Sequence, residues 1–287
     1  MSKRKRLVSY GKCFLCGGSF AKQGIGRHLK KCVPAHDPPP AEGGVRLFHL
    51  SVDFPPAPFY WLHLEIPATA SFFDLDAFLR AIWVECCDHL SAFQVDGVWY
   101  VMHLEEEEFE EELEFEEEEE NDDYLSLETV AEHLGMSPEQ LEFLLEKLFP
   151  PPPVKHSMSV PLEKALSVGK QFSYEYDFGT TTELRLKVVG ERLGSSPSSP
   201  FNVRLLARNY APIYRCYVEG CNRVGRWIDA WEFEVLCEEH ARERPSFEER
   251  FLSIVNSPRV GQCGYTGPWR EEMRFEEPGP EGKQLIL

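Results

Sequence analysis

Residues 172–189, FSYEYDFGTTTELRLKVV, constrain the fold most tightly. Tyr174, Tyr176 and Phe178 alternate with Ser173, Glu175 and Asp177. After Gly179 and three threonines, Leu184, Leu186 and Val188 alternate with Glu183, Arg185 and Lys187. A period of two sends every second side chain to one face, so the segment reads as two strands joined by a turn. Asp177, beside Phe178 and Gly179, reads as a turn-stabilising acid rather than a catalytic base. An isolated hairpin is marginal in water and needs more sheet or a helix against its apolar face.

Residues 45–104 supply that partner. Val45–Phe54 and Phe59–Ile66 read as strands, with Pro55 and Pro56 at the turn. Ser71 and Asp74 form a capping-box-like helix start, and Phe72, Leu75, Phe78, Leu79, Ile82 and Trp83 follow with helical spacing. Asp96-Gly97 between apolar residues signals a two-residue hairpin. The expectation is an α+β core, a small mixed or antiparallel sheet with packed helices. Its halves are residues 45–104 and 158–193.

An insertion separates the halves. Residues 105–123 hold thirteen Glu and two Asp, too little apolar surface to support a core, and read as a disordered, solubilising stretch that could also attract a basic protein. Residues 124–157 read as a helical hairpin ended by Pro150–Pro153. Ala131, Gly135 and Leu141 sit where a helix-turn-helix wants small, turn and core residues. Glu139, Glu142 and Glu146 against Lys147 would repel phosphates, so a structural or protein-binding role is favoured.

Both ends carry metal-ligand spacing. Cys13, Cys16, His28 and Cys32 form C-x2-C-x11-H-x3-C, with the second pair on one helix face and Phe20 and Ile25 as apolar plugs. Cys216, Cys221, Cys237 and His240 form C-x4-C-x15-C-x2-H, and Trp231, Phe233 and Val235 read as a strand entering the second knuckle. The predicted units are a C2HC finger at residues 1–33, a linker at 34–44 and a zinc-ribbon-like module at 201–267. A mobile tail at 268–287 follows. About two structural zinc ions are expected. His36 reads as a solvated histidine or a spare ligand, and Cys263 as a substitute ligand for the C-terminal site. Cys86, Cys87 and His89 could hold a metal, but adjacent cysteine side chains diverge and rarely share one ion, so a buried helix end is the favoured reading, buried thiols being commonplace. A Cys–His nucleophile there lacks a visible orienting partner.

The net charge of −18 conceals a basic head, with nine Lys or Arg and no acid in residues 1–32. Lys3, Arg4, Lys5, Arg6, Lys22, Arg27, Lys30 and Lys31 are the candidate contacts to DNA or RNA phosphates. No apolar run reaches the roughly 18 residues of a membrane span. Nine cysteines without a secretory leader point to thiols or metal ligands in the cytoplasm.

The strings YWLHLEIP, LDAFLRAIWVECCDHLSAF, YEYDFGTTTELRLKVVGER and NSPRVGQCGYTG resemble the plasmid pRiA4b ORF-3-like family. HLSAF and YEYDFG carry most of the resemblance. It implies a compact α+β core and a plasmid or mobile-element context; it implies no established activity and offers no catalytic residues to carry over. Taken together, these features predict a non-catalytic, zinc-stabilised binding protein that contacts nucleic acid through its finger. The alternatives are a protein-interaction adaptor and, less favoured, a Cys/His enzyme.

Overall fold

A computed structural model describes residues 8–40, 42–102, 127–148 and 153–287. Lys3–Arg6 and the acidic run 105–123 lie outside the described residues. β1 (Tyr10–Cys13) and β2 (Ser19–Ala21) form a hairpin that leads into α1 (Lys22–His36). β3 (Val45–Asp53) and β4 (Trp61–Pro67) follow, then α2 (Phe72–Leu79), which passes into one π turn at Arg80–Val84. β5 (Ser91–Val95) and β6 (Val98–Val101) pair across a turn with Asp96 at φ 50° and Gly97 at φ 82°. Those positive values are what a type I′ hairpin needs.

α3 (Leu127–Leu134) and α4 (Pro138–Leu148) make the helical hairpin. β7 (Lys155–Ser157), β8 (Gln171–Tyr176), β9 (Thr182–Gly194) and β10 (Arg204–Asn209) return to the sheet. β11 (Trp227–Asp229), β12 (Val235–Leu236) and β13 (Phe251–Ser253) form a second, three-stranded sheet, with α5 (Glu238–Arg242) after β12.

Among the described residues, the first ten strands form one sheet in the order β2-β1-β10-β4-β3-β9-β8-β5-β6-β7. Every neighbouring pair is antiparallel except β6 and β7. The mixed α+β class holds, but the expected small sheet is corrected to a large one. The cause is β10, assigned on sequence to the C-terminal module. It pairs with β1 through Gly11↔Asn209 and Cys13↔Ala207, and with β4 through Leu205↔Leu64 and Arg208↔Leu62. One strand thereby satisfies the backbone edges of two units that would otherwise stand unpaired.

Strand alternation sorts the side chains as expected. Leu62, Leu64 and Ile66 of β4, Tyr174 and Tyr176 of β8, and Leu184, Leu186 and Val188 of β9 pack with Leu75, Phe78, Leu79 and Ile82. Burying each such aliphatic side chain contributes about 1.5–3 kcal/mol before entropy is counted. The helix start is a capping box: the Asp74 amide donates to Ser71 Oγ at 3.3 Å, and the Ser71 amide donates to Asp74 Oδ2 at 2.8 Å.

A second apolar cluster joins α1 to the sheet. Ile25, Leu29 and Val33 pack with Trp61, Leu206 and Ala207, so the finger is built into the main body. The α1 terminus is tied down as well. Asp37 Oδ2 accepts from Arg192 and from Arg204, each at 2.7 Å. The predicted mobile tail is also docked. The Ala211 amide donates to Glu277 O, and Ile213 exchanges backbone hydrogen bonds with Leu285 and Leu287.

Candidate metal centres

Three groups of Cys and His each gather four ligand atoms within 4.8 Å of one another, and each could hold a metal ion. Zinc–sulfur bonds of about 2.3 Å and zinc–nitrogen bonds of about 2.0–2.1 Å set the test. A tetrahedron of such bonds has S···S edges of about 3.8 Å and S···N edges of about 3.6 Å.

The N-terminal group is Cys13, Cys16, His28 and Cys32. Cys13 ends β1, and Gly17, at φ 72°, turns the chain back after Cys16. His28 and Cys32 lie one helical turn apart on α1. Cys13 Sγ and Cys32 Sγ are 3.8 Å apart, and Cys16 Sγ and His28 Nε2 are 3.4 Å apart. Phe20 stacks on the His28 ring at 3.7 Å between centroids and fixes its orientation. His36 is adjacent but hydrogen-bonds back to the Cys32 carbonyl at 2.9 Å, outside the four-ligand group.

The C-terminal group is Cys216, Cys221, Cys237 and His240. His240 Nδ1 stands 3.2 Å from Cys216 Sγ and 3.6 Å from Cys237 Sγ. Arg223 Nε donates to Cys221 Sγ at 3.4 Å and pulls that thiol down to about 7. The predicted strand through Trp231 and Phe233 is replaced by a turn. Asp229 Oδ1 accepts from the Trp231 and Glu232 amides, and Phe233 takes φ 57°.

The third group reverses the sequence preference, because a fourth residue not foreseen there completes it. Cys86, Cys87 and His89 meet Cys263 from the C-terminal third of the chain. Cys263 is therefore not a substitute ligand for the C-terminal group, and the residues after the α2 helix are not a buried helix end. Cys86 and His89 are half-buried, and Cys87 and Cys263 are exposed. The signal available in sequence was arithmetic: six of the nine cysteines serve the two spaced motifs, and the other three converge here.

Packing against other thiols raises one thiol in each of two groups, while hydrogen bonds within the N-terminal group outweigh burial and lower Cys16. Burial and then the neighbouring Cys13 thiol push Cys32 up to about 12. Hydrogen bonding to Cys263 raises Cys87 to about 12 as well. A bound dication would supply the missing positive charge and deprotonate coordinating thiols.

The candidate phosphate contacts separate into two kinds. Lys22 is engaged: Nζ is 2.5 Å from Asp53 Oδ1 and donates to Pro58 O at 2.8 Å. Arg27, Lys30 and Lys31 are exposed on α1; Arg27 and Lys31 lie opposite buried Ile25, Leu29 and Cys32, and Lys30 borders the cleft that holds His49 and His63. Among the described residues none of these three is in an ion pair. Among the described residues, no helix is long and apolar enough to cross a membrane.

No family model matches the chain, and no curated protein matches it. Among the solved structures to which the chain is similar is a protein of unknown function, MM3350, from Methanosarcina mazei Go1. It is 12% identical over 72% of this chain and 87% of that one, with a TM-score of 0.35.

Proposed function

We propose that this chain is a non-catalytic, zinc-stabilised binding protein of the plasmid or mobile-element type. It works in the cytoplasm and contacts nucleic acid through its N-terminal finger. Zinc fits the Cys13 and Cys216 groups because their edge lengths and sulfur–imidazole composition suit a closed tetrahedral site. The mobile-element context rests on the resemblance carried by the HLSAF and YEYDFG strings.

The observation that carries the nucleic-acid reading is the exposed triad Arg27, Lys30 and Lys31. The helix is anchored by its buried face, so three cations stand preset on a rigid surface. The test uses the zinc-loaded full chain and labelled duplex DNA or single-stranded RNA, with anisotropy read across a salt series. Arg27→Ala/Lys30→Ala/Lys31→Ala is expected to weaken binding and reduce the log–log salt slope by about 2–3. Unchanged affinity and slope would rule the reading out.

The helical hairpin favours a second reading, an adaptor for a basic protein. Leu134 is 57% exposed and Leu144 is 39% exposed there, next in sequence to the acidic run. A basic partner retained by the full chain and lost on deleting residues 105–123 would support it. Equal retention by both chains would count against it.

A further inference from the structure

We infer that Cys86, Cys87, His89 and Cys263 bind a third zinc ion, and that this ion staples the C-terminal third of the chain to the α+β core. The inference is independent of zinc at the two terminal groups. Cys87 and Cys263 are 176 positions apart in sequence, yet their sulfurs stand 3.6 Å apart. Cys86 Sγ and Cys87 Sγ are 3.7 Å apart. His89 Nε2 lies 3.1 Å from both Cys87 Sγ and Cys263 Sγ. The two sulfur–sulfur edges fall within about 0.2 Å of a zinc tetrahedron, the two His89 edges are about 0.5 Å shorter, and all four ligand atoms lie within 4.8 Å of one another.

Neighbouring cysteines can share this ion because the backbone is sharply bent around them. The π turn at Arg80–Val84 ends the helix, Glu85 is extended, and Asp88 takes φ 62°. On the other side, Cys263 takes φ 46° between Gly261 and Gly264, both also at positive φ. A left-handed cysteine is an unfavourable conformation that needs compensation from its surroundings. Metal coordination would provide it.

The site also has a supporting layer of the kind that orients metal ligands. Tyr176 Oη accepts from the Cys86 amide at 3.2 Å and the His89 amide at 3.3 Å, and donates to Glu85 at 2.9 Å. Arg80 Nη2 donates to the His89 carbonyl at 2.6 Å. Arg259, fully buried, donates to Cys86 Sγ at 3.5 Å and to Asp177. Three thiolates around a dication leave one net negative charge, and the Arg259 guanidinium, although also paired with Asp177, donates a charge-assisted hydrogen bond to one of those sulfurs. Asp177 lies 3.5 Å from His89 Nε2 but is held by Arg259 and by the Gly179 and Thr180 amides, so the four ligands close the site without it.

Native mass spectrometry of the full chain purified with zinc tests the idea. Three zinc ions are expected in the wild type. Cys263→Ser and His89→Ala should each hold two, and Cys13→Ser and Cys237→Ser should each lose one from elsewhere. Cys263→Ser and His89→Ala holding as many ions as the wild type would overturn the third site, whatever the terminal groups hold. A mass about 2 Da lower, with peptide mapping that joins Cys87 to Cys263, would mean a disulfide there, which also overturns it. Cadmium-113 NMR gives a second readout: one resonance of the wild type should vanish in Cys263→Ser, and an unchanged set of resonances sinks the site. For the staple, hydrogen exchange across residues 257–264 should rise at least tenfold in Cys263→Ser. No change there would overturn that part.

Discussion

Arg259 and Asp177, 82 positions apart, form a buried ion pair beneath the third cysteine cluster. Arg259 also reaches the Thr180 carbonyl at 2.7 Å, and Asp177 Oδ1 accepts from the amides of Gly179 and Thr180. The pair therefore locks the NSPR segment against the turn between β8 and β9. Breaking one side of such a pair leaves an uncompensated buried charge and costs about 3–5 kcal/mol. Arg259→Met and Asp177→Asn should each approach that loss in urea denaturation, and the double variant should cost less than their sum. Single losses under about 1 kcal/mol would mean that the pair is solvated.

A histidine pair sets a different expectation. His49 Nε2 and His63 Nδ1 are 2.9 Å apart on neighbouring strands β3 and β4, in a cleft of about 470 Å³ beneath α1. Lys30 and Glu65 line the same cleft, with Glu191 and Arg192 from β9. Burial, then Arg192 and Lys30, lowers His49 to about 4; burial, then His49 and Lys22, lowers His63 to about 3. The folded chain resists protons that the unfolded chain accepts near pH 6.5. Stability is thus full above that pH and falls as the pH drops towards 4, by up to about 1.4 kcal/mol per pH unit for each histidine. Denaturation midpoints of wild type and His49→Gln/His63→Gln from pH 7.5 to 4.5 measure this. Parallel curves would contradict it.

Gly11 is the close-approach point of the finger. A Cβ built there would stand 2.2 Å from the Arg208 carbonyl and 2.6 Å from the Trp61 ring. The Arg208 carbonyl belongs to the paired strand, so it has little room to retreat. Gly11→Ala should destabilise by about 1–3 kcal/mol and raise hydrogen exchange in β1. A melting temperature equal to the wild type would show that the strand can shift.

Chelation should affect the two terminal groups unequally. The N-terminal group is backed by β1–β10 pairing and by Trp61, whereas the C-terminal group rests on a small cluster of Leu236, Ala241 and Phe251. With a strong chelator, exchange should rise first at residues 216–242, while β1 stays protected. The reverse order would refute this ranking.

Local chemistry made much of the chain readable. The 172–189 hairpin, the Ser71–Asp74 start and the Asp96-Gly97 turn each declare themselves within a few residues. The terminal ligand sets were legible because metal geometry imposes short spacings. What escaped was non-local. Nothing in Arg204–Asn209 states that it will lie between β1 and β4. Trp231 and Phe233 alternate like a strand, but Asp229 captures two amides and forces a turn. Cys263 could be assigned only once the topology brought the GQCG loop to the end of the π turn.

The place of β10 also bears on synthesis. Its neighbours β1 and β4 leave the ribosome well over a hundred residues before it does. At about 5–20 residues per second, the nascent chain waits about 7 to 27 seconds with both edges open. During that interval two strand edges are available to the wrong partners, and the last third of translation is what closes them.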